Sequence, residues 1–330
     1  MSTIVDSLRS SRLPPDQVLS NRELIHQYAA YLELAEIGGL CRVSKVWNES
    51  IRGSDGRLFW KSISIREGIP VVQGEYRDHQ DDFRFLLPIT ISGRIIGKYL
   101  GKVDGEVPLM SKVHFLKLKS LQDDFEPTKC RRDTHVVIVD PSKLKITVSK
   151  DRPLRLDASG TLEEVPSLER ALIEKAELTV PFSFKNLKML TTYPLSRKGN
   201  GPVFDKGSGP AVFEQCYTPP DQNRILIMRR EVVGTNRLFN SERDQNALVT
   251  NRGWKVVTVR QRGFYDAIEI LKTGTCSDGQ APWTYARSAE RDCKVAIGGF
   301  ASSVGVLVSH NYGFAHDFVG VVPGVFAEVP

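Results

Sequence analysis

Cys276 is the side chain whose neighbours best suit it to act as a nucleophile. It lies in GTCSDG, where Gly274 and Gly279 permit a tight turn that would expose a thiolate, and His310, His316 and Asp317 follow downstream. Cysteine, histidine and aspartate in that order can serve as nucleophile, base and orienting acid in a hydrolase. The residues around Cys276 match no hydrolase signature, so a cysteine hydrolase centred there stands as the alternative reading and the leading one has no catalytic residue. For metal binding, His310, His316 and Asp317 would need a further ligand at workable spacing, and none is evident. The glycines of IGGFASSVGV and GNGPVFDKGSGP lack both the trailing Lys-Ser/Thr of a phosphate loop and complete GxGxxG spacing. No cofactor or metal is therefore expected.

Composition narrows the classes further. The chain has 330 residues, long enough for one large domain or two. Its charge of +6 comes from 45 basic and 39 acidic residues that are interspersed, as in GEYRDHQDDFR. Without a basic block, a nucleic-acid surface is not expected. The five cysteines, Cys41, Cys130, Cys216, Cys276 and Cys293, are odd in number and form no CxxC pair. That argues against a disulfide framework and for a reducing compartment, so a cytoplasmic protein is expected. The apolar stretch from Val295, VAIGGFASSVGVLVS, is interrupted by Gly and Ser. It falls short of the roughly 20 residues a membrane span needs and reads as sheet.

These residues need elements to position them. Residues 1–18 are polar, include Pro14-Pro15 and read as a flexible leader. Ser20-Asn21-Arg22-Glu23 offers a capping box, after which Leu24, Tyr28 and Leu32 form one apolar helical stripe. A second helix should carry Ile37, Leu40, Ser44, Trp47 and Ile51 on one face, with Val43 beside them. Gly53-Ser54-Asp55-Gly56 interrupts it, and RLFWKSISIREG then reads as a short helix ending near Gly68. Beyond this point THVVIVD (134–140), KLKITVS (143–149), RILIMRREVV (224–233), WKVVTVRQRG (254–263) and VGVLVSH (304–310) read as strands. SLERALIEKAEL (167–178) reads as a helix. The arginines at 229–230 and 260–262 read as a solvated strand edge.

The spacing within residues 19–68 resembles the F-box, a short helical module that docks onto the Skp adaptor of a cullin–RING ubiquitin ligase. Leu19-Ser20 stands where the family opens with Leu-Pro, so the serine keeps a capping role without proline's fixed backbone angle. Tyr31-Leu32 matches the apolar pair that closes the first helix, and Glu33 to Glu36 matches the acidic and polar turn. Ile37, Leu40 and Val43 match the apolar positions of the second helix, Ser44 its small residue and Trp47 its tryptophan. Phe59-Trp60 matches a later Leu-Trp pair, after a slightly longer loop. The resemblance implies that Leu19, Leu24, Ile37, Leu40, Val43 and Trp47 bind the adaptor.

Less specifically, IIGKYLGKVDGEVP, NLKMLTTYPL, GTCSDGQAPWTYAR and IGGFASSVGV are similar to the region after the F-box in proteins of obligate intracellular bacteria. That implies an effector exported into the cytosol of a eukaryotic host. The layout expected is a flexible leader (1–18), a small all-α F-box module (19–68) and a larger α+β domain of uncertain topology (69–330) that recruits an unidentified protein target. Trp283, Tyr285, Tyr312, Phe314 and Phe318, read as aromatics on loops, are its expected target-binding residues. A structural protein whose helical hairpin is incidental is the remaining alternative.

Overall fold

The computed structural model describes residues 37, 39, 45–52, 56–67, 86–107, 135–192, 203–204, 220–233, 242–251, 254–274, 285–287, 296–299, 306–309 and 319–327. Chain contacts divide the protein into two units, Met1–Arg66 with Val71–Arg84, and Glu67–Pro70 with Phe85–Pro330.

In the first unit, helices α1 (Lys45–Arg52) and α2 (Gly56–Glu67) are joined through one tryptophan. The last carbonyls of a helix have no partner within it. That of Ile51, in the last turn of α1, accepts a 2.9 Å hydrogen bond from the Trp60 indole N–H. Trp60 is buried edge-on against Phe59, with ring centroids 5.3 Å apart. The Ser64 hydroxyl donates back to the Trp60 carbonyl at 2.8 Å. Ile51, Phe59 and Ile63 are buried, whereas Val46 and Ile65 are exposed. α1 ends at Arg52 and α2 begins at Gly56, so the two helices are separate where the sequence places an interruption, Gly56 itself opening the second.

The second unit runs β1 (Thr90–Ile91), α3 (Gly93–Tyr99), β2 (Lys102–Val103), β3 (His135–Asp140), β4 (Lys143–Val148), β5 (Leu154–Leu156), β6 (Leu162–Glu164), β7 (Ala176–Pro181), α4 (Phe184–Thr192), β8 (Arg224–Arg229), α5 (Glu242–Thr250), β9 (Lys255–Val256), α6 (Val259–Thr273), β10 (Tyr285–Arg287), β11 (Ala296–Gly299), β12 (Val306–Ser309), β13 (Val319–Val321) and β14 (Pro323–Ala327). Five strands form the main sheet in the order β1-β3-β8-β14-β9. Its β1–β3 pair is parallel and its other pairs are antiparallel. The near-continuous apolar run of β3 is buried along its whole length, as a strand covered on both faces requires. β4 instead alternates exposed lysines and threonine with buried Leu144, Ile146 and Val148, and lies between β2 and β7 in a second sheet. Strands β5 and β6 pair as a hairpin, and β12-β11-β10-β13 form a fourth sheet.

This arrangement corrects the expected fold class, a small all-α module followed by a larger α+β domain. Helices and several sheets are mixed along the described chain. Two segments changed class for identifiable reasons. Residues 167–178 read as a helix, but Leu168 and Leu172 are 95% and 81% exposed, so their stripe buries nothing. Only a 3-10 turn (Arg170–Leu172) forms there, and the following residues join β7, which pairs with β4 from Val148↔Ala176 to Lys143↔Pro181.

Residues 254–263 read as a strand, yet only Lys255–Val256 is one. Thr258 starts a helix through a capping box: its hydroxyl accepts from the Gln261 N–H at 3.2 Å, and the Gln261 side-chain oxygen accepts from the Thr258 N–H at 3.0 Å. The helix, α6, ends where Gly274 adopts φ 82° and donates to the Ile270 carbonyl at 2.8 Å. It is buried along most of its length, with Phe264 packed edge-on against Phe182 at 4.9 Å. It even encloses an ion pair, Arg262–Asp266, at 3.1 Å. Burial pushes the neighbouring Tyr265 hydroxyl up to about 12.

A tight approach beside β4 gives a stability test. A Cβ at Gly101 would lie 2.7 Å from the Ile146 Cγ2 and 2.8 Å from the Lys145 carbonyl oxygen, which is backbone and cannot swing aside. Gly101→Ala should therefore lower unfolding stability by about 1–3 kcal/mol, read from the midpoint of urea denaturation. A stability equal to wild type would show that the strand yields at no cost.

Candidate functional site

Of the expected adaptor-binding residues, Ile37 is buried and Trp47 lies within α1, its side chain outside the described residues. Leu19, Leu24, Leu40 and Val43 also lie outside them. Among the expected target-binding aromatics, Tyr285 sits in strand β10, whereas the sequence placed it on a loop. Trp283, Tyr312, Phe314 and Phe318 are outside the described residues, as are Cys276, His310, His316 and Asp317. Among the described residues there is no group of three or more His, Cys, Asp or Glu that could hold a metal ion, and no helix long and apolar enough to cross a membrane.

The described structure instead presents a cleft of about 400 Å³ in the second unit, between the main sheet and the amino-terminal end of α6. Register explains its floor. Paired residues on antiparallel strands project to the same face, and alternate residues along a strand do likewise. The pairs Asp140↔Arg224, Leu226↔Phe326 and Gly324↔Lys255 therefore put these six residues on one face, across β3, β8, β14 and β9. Gly324 closes the floor tightly, since a Cβ there would meet the Val257 Cγ1 at 2.8 Å. Trp254 and Thr250 contribute from the α5 side, and Thr258, Arg260 and Gln261 from α6.

Charges in the cleft differ in how they are met. The Asp140 carboxylate is buried and accepts from both terminal nitrogens of Arg260, one of them at 2.8 Å, and from the Gln261 amide at 2.9 Å. The Arg260 guanidinium also lies over the Phe182 ring, 5.5 Å from its centroid. This polar knot ties the end of β3 to the first turn of α6. Arg224 and Lys255 are different. Each lies over the Phe326 ring, at 5.6 and 5.9 Å from its centroid, and neither makes an ion pair among the described residues. Arg224 is half-buried and Lys255 exposed, so a solute can reach both.

Sequence reasoning missed this site. The cluster at 260–262, read as a solvated strand edge, is buried: Arg260 holds Asp140, and Arg262 pairs with Asp266 while donating to the Arg230 carbonyl at 2.7 Å. The available signal was Thr258-Val259-Arg260-Gln261, a capping box that places a helix start, and with it Arg260, at the end of a strand. Compared with known proteins, the chain matches no family model, no curated protein and no solved structure at a significant level.

Proposed function

We propose that the chain is an F-box-type substrate-recruiting subunit of a Skp–cullin–RING ubiquitin ligase, acting as a bacterial effector in the cytoplasm of a eukaryotic host. The spacing of Tyr31-Leu32, Leu40, Val43 and Trp47, followed by Phe59-Trp60, is the observation that carries this reading. The helices over Lys45–Arg52 and Gly56–Glu67 are in keeping with it, since they carry Trp47 and the Phe59-Trp60 pair. A segment this short buries little apolar surface by itself, and side chains it leaves open supply a docking face. An adaptor-bound chain needs only a second face to hold a target, so residues 69–330 act by binding and the ligase supplies the chemistry.

A few large side chains dominate interfaces of this kind. Leu40→Ala and Trp47→Ala should each weaken binding to purified Skp-type adaptor by at least ~2 kcal/mol, measured by titration, with circular dichroism as the check on folding. Wild-type protein that fails to bind at ~10 µM, a modest affinity, would overturn the proposal. So would folded variants that bind as tightly as wild type.

A further inference from the structure

We propose that the cleft between α6 and the main sheet binds a small organic phosphate: a phosphate monoester carrying an apolar body about the size of one ring. This site is independent of adaptor docking.

Charge balance argues for the phosphate. The charged residues lining the cleft are Arg224, Lys255 and Arg260 on one side of the account and Asp140 on the other. Asp140 is engaged by Arg260 and Gln261, which leaves Arg224 and Lys255 without a counter-charge among the described residues, in the cleft that the amino-terminal end of α6 also lines. That end adds partial positive charge of its own, although the capping box already satisfies the Gln261 N–H. A phosphate monoester carries about −1.5 to −2 at neutral pH, which fits the excess of two cations better than a single carboxylate does.

Shape argues for the apolar body. Val256 and Phe326 line the same cleft with part-exposed side chains, and the buried Leu226, Val257 and Trp254 complete its apolar lining. A cavity of roughly 150 Å³ accepts a benzene molecule, so the cleft's volume of about 400 Å³ leaves room for a ring and a phosphate together. Small-molecule sites commonly combine a mostly apolar lining with a few placed charges. Inorganic phosphate alone would leave the part-exposed Val256 and Phe326 uncovered, and a neutral ring would leave the cations unmatched.

Phenyl phosphate is the probe, titrated calorimetrically into the full chain at pH 7.5, with inorganic phosphate and phenol as its separated parts. Phenyl phosphate should bind, and each part should bind more weakly. Arg224→Gln and Lys255→Gln should each reduce its affinity at least roughly tenfold, the effect of losing one charge-assisted hydrogen bond, while Lys255→Arg should retain most of it. Affinity should also fall as pH drops through about 6, where the monoester takes up a proton. Thermal melting without ligand checks that the variants are folded.

Three results would overturn the proposal. The first is no binding of phenyl phosphate to wild type at ~1 mM, the weak end of the useful scale. The second is affinity that both glutamine variants keep. The third is inorganic phosphate binding as tightly as phenyl phosphate, which would make the apolar wall irrelevant.

Discussion

Asp140→Ala should destabilise the second unit by about 3–5 kcal/mol, the usual cost of removing one partner from a buried ion pair. Asp140 and Arg260 are both almost completely buried, and the carboxylate also accepts from Gln261. Without it, a guanidinium and an amide are left in the interior with no acceptor between them. The Phe182 ring beneath Arg260 can take up only part of that charge. Urea unfolding measures the effect, and a loss below ~1 kcal/mol, typical of an exposed pair, would mean that Arg260 escapes to water. A double replacement, Asp140→Leu with Arg260→Met, separates pairing from packing. It should recover most of the loss, because apolar residues of similar volume often replace a buried pair without penalty.

Trp60→Ala should cost the first unit about 3–5 kcal/mol, the range for large aromatic-to-alanine changes in a core. Its indole is buried against Phe59 and supplies the hydrogen bond to the Ile51 carbonyl at the end of α1. Two losses therefore coincide, a cavity and the hydrogen bond from the indole to the Ile51 carbonyl. Trp60→Phe separates them: it keeps much of the ring volume and removes the N–H, so about 1–3 kcal/mol should remain. Chemical denaturation followed by far-ultraviolet circular dichroism gives both numbers. Equal effects for alanine and phenylalanine would assign the whole contribution to the hydrogen bond.

Strands whose own residues carry a complete signal are where the sequence puts them. The apolar run of β3, the alternation of β4 and the Ile225–Met228 core of β8 each declare a strand locally. Failures came where distant partners decide, or where a local capping signal competes with a strand-like run. Leu168 and Leu172 have helical spacing, but nothing packs on them, and β4 captures the residues that follow. Val256 to Val259 look like part of a strand, yet the reciprocal bonds of Thr258 and Gln261 begin a helix inside that run. The cleft was illegible because strands far apart in sequence compose it. Arg224 and Lys255 converge on one ring only because β14, which carries Phe326, inserts between β8 and β9. The all-α module was likewise a local reading, made from spacing alone.

That insertion has a consequence in time. β8 and β9, at residues 224–229 and 255–256, are made before the strand that lies between them, Pro323–Ala327. While the ribosome is still adding the residues in between, β8 can pair with β3, but its other edge and all of β9 wait unpaired. Contacts that span so much chain form slowly, because a long loop must close before they return any energy. An open strand edge held through that interval invites pairing with another nascent chain. The edge of β8 that β14 covers is therefore closed only after the last described strand has been made.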